Sequence, residues 1–116
     1  MATISPVAGS FSSEGFISRS VSWTGAASAD TVTPYEVPGA SGGMASVQVG
    51  GVLGGATVTL SASNDGVNFM PVQDLAGNPL SFTGPGLADF TTAARYIQPT
   101  IAGGTGDAAD VIVVLR

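Results

Sequence analysis

The chain has 116 residues and a mass of 11.4 kDa, enough for one domain with one modest core. Its only cations are Arg19, Arg95 and Arg116, set against eight acids for a net charge of −5, and it has no Cys, His or Lys. These absences rule out disulfides, thiolate or imidazole metal sites, imidazole catalysis and a basic surface for phosphate backbones, so neither an enzyme nor a nucleic-acid binder is expected.

Residues 1–15 are rich in Ser, Gly and Ala and have neither helical nor strand period. They are expected to form a flexible N-terminal arm, with residues 16–116 as a single β-sandwich domain. Ile4, Val7 and Phe11 are the apolar residues of that arm and its candidate anchors on a neighbouring subunit. Phe16–Trp23 reads as the first strand. Thr31–Val37 is rich in β-formers, but Pro34 cannot donate a ladder hydrogen bond, so this is an edge or bulged strand.

The clearest alternation lies in the middle. Ala45, Val47 and Val49 form one apolar face, and Val58, Leu60 and Ala62 another, which predicts a central hairpin of residues 45–49 and 56–63. Its tip, Gly50-Gly51-Val52-Leu53-Gly54-Gly55, places two apolar residues between glycine pairs. Val52 and Leu53 either fold back onto the core or form an apolar knob for a partner. Ser63-Asn64-Asp65-Gly66 is a strong turn signal.

Further short strands follow at Val67–Val72, Leu80–Thr83, Leu87–Thr92 and Arg95–Ile101, separated by Gly, Pro and Asn clusters. The last segment, Asp110–Leu115, is apolar on both faces: Val111, Val113 and Leu115 on one, Ile112 and Val114 on the other. A two-layer sandwich covers only one face of a strand, so Ile112 and Val114 need a cover, either another segment of the chain or a neighbouring subunit. The pattern is all-β: an antiparallel, jelly-roll-like β-sandwich of about eight short strands. The start has no basic region followed by an apolar run, and no stretch is long enough to cross a membrane as a helix, so no membrane partner is expected.

Asn64 and Asp65 in one turn, and Asp107 and Asp110 in another, could together supply calcium ligands if the loops met, but turn chemistry explains them better. No metal or other cofactor is expected. Trp23, Tyr35 and Tyr96 are the rings available for stacking on a sugar; packing with a hydrogen-bonded polar end is the simpler reading of each.

The stretch Val58–Phe69, with its Ser63-Asn64-Asp65-Gly66 turn, continues to Arg95-Tyr96-Ile97, then Gly103-Gly104 and the final Val-rich strand. Over residues 43–116 this pattern resembles the small β-sandwich capsid decoration, or cement, proteins of tailed bacteriophages. Many sugar-binding sandwiches with a similar turn carry Trp where this chain has Phe69. The resemblance implies a structural virion protein that is made in the host cytoplasm, binds the outer surface of a phage head as a homotrimer and stabilises the lattice of the major capsid protein. Ile4, Val7, Phe11, Val52, Leu53, Ile112 and Val114 are the expected capsid or subunit contacts. A tail, collar or fibre-associated sandwich and a carbohydrate-binding module are the alternatives.

Overall fold

A computed structural model describes residues 2–13, 16–37 and 44–116; side chains of residues 11–17 lie outside the described set. Among the described residues the ordered elements are all strands. They are β1 (Thr3–Ile4), β2 (Val7–Ser13), β3 (Phe16–Ala26), β4 (Thr31–Val32), β5 (Tyr35–Glu36), β6 (Met44–Val52), β7 (Thr57–Ser63), β8 (Met70–Pro71), β9 (Ser81–Phe82), β10 (Gly86–Thr91), β11 (Tyr96–Ala102) and β12 (Ala108–Leu115). Five of the twelve are two-residue pieces, which accounts for the excess over the eight expected.

Two five-stranded antiparallel sheets share one core. The first has the order β10-β6-β12-β3-β2; the second runs β5-β11-β7-β8, with β9 also pairing β7. A short parallel pair, β1 with β4, lies beside them. Val21, Trp23, Val47, Val49, Phe90, Val111 and Val113 from the first sheet pack with Val58, Leu60, Ile97 and Ile101 from the second. Each set follows the two-residue period of its strand, the pattern of a sandwich with one buried face per sheet.

The central hairpin expected from the sequence does not form. The inward sets are as read, but β6 pairs with β12 and β10, and β7 pairs with β11, β8 and β9. The connection crosses from one sheet to the other. Leu53 turns into the core and is only 7% exposed, and the Ala56 amide donates to the Leu53 carbonyl. Gly54 has a positive φ of 58°, and a Cβ there would collide with the Thr105 carbonyl, whose own amide donates to the Gly54 carbonyl. A strand pair joined by a tight turn stays in one sheet; here burial of Leu53 and the Gly54–Thr105 contact turn the connection into an arch.

Pro34 interrupts its segment as expected. β4 and β5 are separate, and β5 is the edge of its sheet. The N-terminal residues, set apart from the sandwich in the sequence reading, are placed against it. Val7–Ser13 pairs along β3 from Val7↔Ser22 to Ser13↔Phe16. Ile4 is half-buried against the core beside Val32, and Asp30 accepts the Ala2 and Ala27 amides through its two carboxylate oxygens. A long β3 with an otherwise open edge supplies the backbone partners that hold this segment.

Candidate functional site

The outer face of the first sheet, turned away from the second sheet, is ordered by the registers of its five strands. The strand registers align Val7, Ser22, Ile112, Gln48 and Leu87 in one row across all five strands. The next row reads Gly9, Ser20, Val114, Ser46 and Asp89. With strands about 4.8 Å apart, each row spans about 19 Å. Asp89 is the only charged residue of these ten. Val52 and Ala108 extend the face at one end, and Met44 lies at the other.

Five of the eight large, exposed hydrophobic side chains among the described residues lie on this face: Val7, Met44, Val52, Leu87 and Ile112. Val7 is 70% exposed and Leu87 67%, while Ile112, in the middle strand, is 37% exposed. Small serines and a glycine between them keep the surface low. Met44, Ala45, Ser46, Asp89, Val114 and Arg116 line an open hollow at one rim. The arrangement is a flat, weakly charged, partly apolar platform, which is the character of a protein-contact surface.

The expected contact residues divide. Val7, Val52, Ile112 and Val114, far apart in sequence, are brought onto this one face. Ile4 and Leu53 lie elsewhere: Ile4 is half-buried against the chain's own core beside β4, and Leu53 belongs to that core in the arch between the sheets. The Phe11 side chain lies outside the described residues. Leu87, Met44 and Asp89 were missed; the signal for Leu87 was its alternation with the inward Ala88 and Phe90 of the same strand.

The acidic turns do not meet. Asp65 lies beyond the end of β7, whereas Asp107 lies near its start, beside Ala56 and Gly104. Each carboxylate is engaged by backbone. One oxygen of Asp65 accepts from the Val67 and Asn68 amides and the Ser63 hydroxyl, and the other from the Asn68 side-chain amide. These donors, the Asn68 amide foremost, hold the Asp65 carboxyl well below the usual carboxylate range. Asp107 accepts the Ser28 amide, tying the turn after β3 to the one before β12, and Asp110 accepts the Gly25 amide between the two strands themselves. No three acids come together among the described residues as a metal-holding group.

The aromatic rings are equally committed. Trp23 is fully buried and donates its Nε1–H to the Thr33 carbonyl at 2.8 Å. Tyr96 is half-buried: Gly66, at a φ of 77°, closes over the ring so that a Cβ there would sit 3.2 Å from it. The Arg95 guanidinium lies 5.4 Å from the centre of that ring and bonds Glu36 Oε2 at 2.9 Å. That hydrogen bond lowers the Glu36 pKa and raises that of Arg95. Tyr35 is half-buried and packs against the core.

No protein-family model and no curated protein matches the sequence. Among solved structures, the fold is similar to that of YomS, a protein derived from the SPBc2 prophage, with a TM-score of 0.59, 14% identity, and coverage of 90% of this chain and 100% of that one. At that identity the likeness speaks for the fold. Two further neighbours are a cleaved adhesin domain of Lys-gingipain from Porphyromonas gingivalis (TM-score 0.38, 11% identity, 96% of this chain and 73% of that one) and a family 11 carbohydrate-binding module of a cellulosomal cellulase from Clostridium thermocellum (TM-score 0.36, 9% identity, 95% and 80%). These weaker likenesses carry no argument about function.

Proposed function

We propose that this chain is a structural virion protein of a bacteriophage, without catalytic activity, that binds the outside of the head and stabilises the major capsid protein lattice. The observation that carries the reading is the outer face of the β10-β6-β12-β3-β2 sheet, where five exposed hydrophobic side chains share a surface with few charges. The prophage derivation of YomS, whose fold this chain shares, adds support. In this reading the Val7–Leu87 row lies against capsid subunits, and a homotrimer is the form that sits at a local threefold position. A ligand that binds the assembled lattice and not its dissociated subunits raises lattice stability by its binding free energy. Repetition over many equivalent sites lets each contact be modest.

The test is binding of the purified chain to expanded heads of the phage that encodes it. Symmetric occupancy of the head surface, with a higher temperature of head disruption, is the expected result. A few copies confined to the tail would overturn the head assignment, and absence from particles would overturn the virion role. A second measurement addresses the face itself. Leu87→Asp/Ile112→Asp should fold, since both side chains are exposed, and should lose at least tenfold in occupancy affinity, about 1.4 kcal/mol.

A further inference from the structure

The two outer edges of the first sheet differ. β10 carries Asp89, and Pro85 stands immediately before the strand; both discourage the approach of another strand. β2, at the other edge, has the sequence Val-Ala-Gly-Ser-Phe-Ser-Ser, with no charge and no proline. On one side it pairs with β3; its other side is open among the described residues. Residues 7–10 of β2 are exposed without alternation, although Ala8 stands opposite the buried Val21 and so shares its inward orientation. The second sheet therefore does not cover residues 7–10, which are exposed on both faces and lie along the open edge.

We propose that the free edge of β2 is a pairing site for β2 of a second copy of the chain, antiparallel about a twofold axis close to Ser10. The edge is about 23 Å long and offers roughly six backbone hydrogen bonds to such a partner. Ser10 is the middle residue of the strand, so a twofold axis there matches the edge to itself over its full length. Antiparallel pairing about Ser10 sets residues of β2 opposite residues of β2, and charge does not oppose a copy along this edge. Two molecules of net charge −5 repel wherever acids meet, and β2 supplies seven consecutive positions with none. The pairing makes one ten-stranded sheet from two copies and sets their outer faces side by side, with Val7 of each copy opposite Ser13 of the other. A strand-edge contact alone buries less than the 1,200–2,000 Å² or so of a standard interface, so the association is weak and concentration-dependent.

The absence of cysteine from the chain makes a direct test available. The expected result is a solution mass that doubles between micromolar and millimolar protein. Ser10→Lys, which places like charges across the axis, should raise the midpoint concentration roughly five- to tenfold. Ser10→Cys, the only thiol in its variant, should form a disulfide-linked pair under mild oxidation much faster than Thr83→Cys, because the bond needs Cα atoms within about 7 Å. Thr83 is an exposed position in the loop before β10. A mass that stays constant, a doubling that Ser10→Lys leaves unmoved, or equal cross-linking rates at the two positions would overturn the proposal. A trimer insensitive to Ser10→Lys would overturn it while leaving the capsid reading intact. Head binding lost by the Leu87→Asp/Ile112→Asp variant bears on the outer face and not on this edge.

Discussion

Asp65 organises its turn together with Ser63, whose Oγ accepts the Asp65 and Gly66 amides. Its charged form accepts from two amides, a hydroxyl and a side-chain amide, so its pKa in the folded chain lies below that in the unfolded chain. The resulting contribution to stability is present above the ordinary value of 3.8 and is lost as pH falls from there through the folded value. Asp30 and Glu36 shift in the same direction, the first mainly through the Ala27 amide and the second through Arg95. Asp65→Asn keeps one acceptor oxygen and loses the charge. Its melting temperature should therefore lie below that of the parent at pH 7, and the gap should narrow steadily on acidification below pH 4; thermal melts across pH 2–7 measure this. A gap independent of pH would show that the turn depends on shape alone. Trp23 makes the opposite kind of contribution, by volume. Trp23→Ala empties the largest fully buried side chain and strands the Thr33 carbonyl, and should cost about 3–5 kcal/mol in urea denaturation.

At the scale of elements, alternation in the sequence placed inward and outward residues well and placed strand partners poorly. The inward sets of β6, β7 and β12 were legible because each side chain's face is fixed by a period of two along its own strand. The assignment of β6 and β7 to different sheets was not legible, because it depends on whether Leu53 and the glycines beside it close a hairpin or an arch, and local composition suits both. Gly54→Ala tests the arch. A side chain at that positive φ meets the Thr105 carbonyl, and the strain should cost about 1–3 kcal/mol, read as a lower denaturation midpoint. The same limit explains the candidate site. Val7 was singled out as an arm anchor, Val52 as a residue of the loop tip and Ile112 and Val114 as the second face of the last strand, but only the order β10-β6-β12-β3-β2 puts them on one surface and adds Leu87 and Met44.

The whole molecule is asymmetric in how its two sheets end. The second sheet closes with short edge pieces, β5 and β8, whereas the first extends past it to a seven-residue strand whose residues 7–10 are exposed. Amide exchange should follow this asymmetry. β12, bonded on both sides in the centre of its sheet, should be among the slowest segments to exchange, and β2 much faster than β3. Protection of β2 equal to that of β12 in dilute protein would contradict this gradation. The all-β class and the low-charge surface were readable from composition, since abundant Gly, Ser, Thr and Val with few charges leave little else to build. That the N-terminal segment is held along β3 was not readable, because its hold is through backbone groups that its side chains do not advertise.

The position of β12 also bears on how the molecule is made. It is the last strand in chain order, yet it stands between β6 and β3 and pairs Leu115 with both Arg19 and Ala45. Until it arrives, β3 and β6 have no common neighbour, and the two halves of that sheet cannot join. On a ribosome this leaves β2 paired with β3 as one loose ribbon and β6 with β10 as another, with Val21, Val47 and Phe90 still in water. Sheet closure then waits on loop closures spanning most of the chain, a topology that folds slowly and exposes apolar strands longest just before completion. Throughout that interval the seven uncharged residues of β2 are already part of the emerged chain.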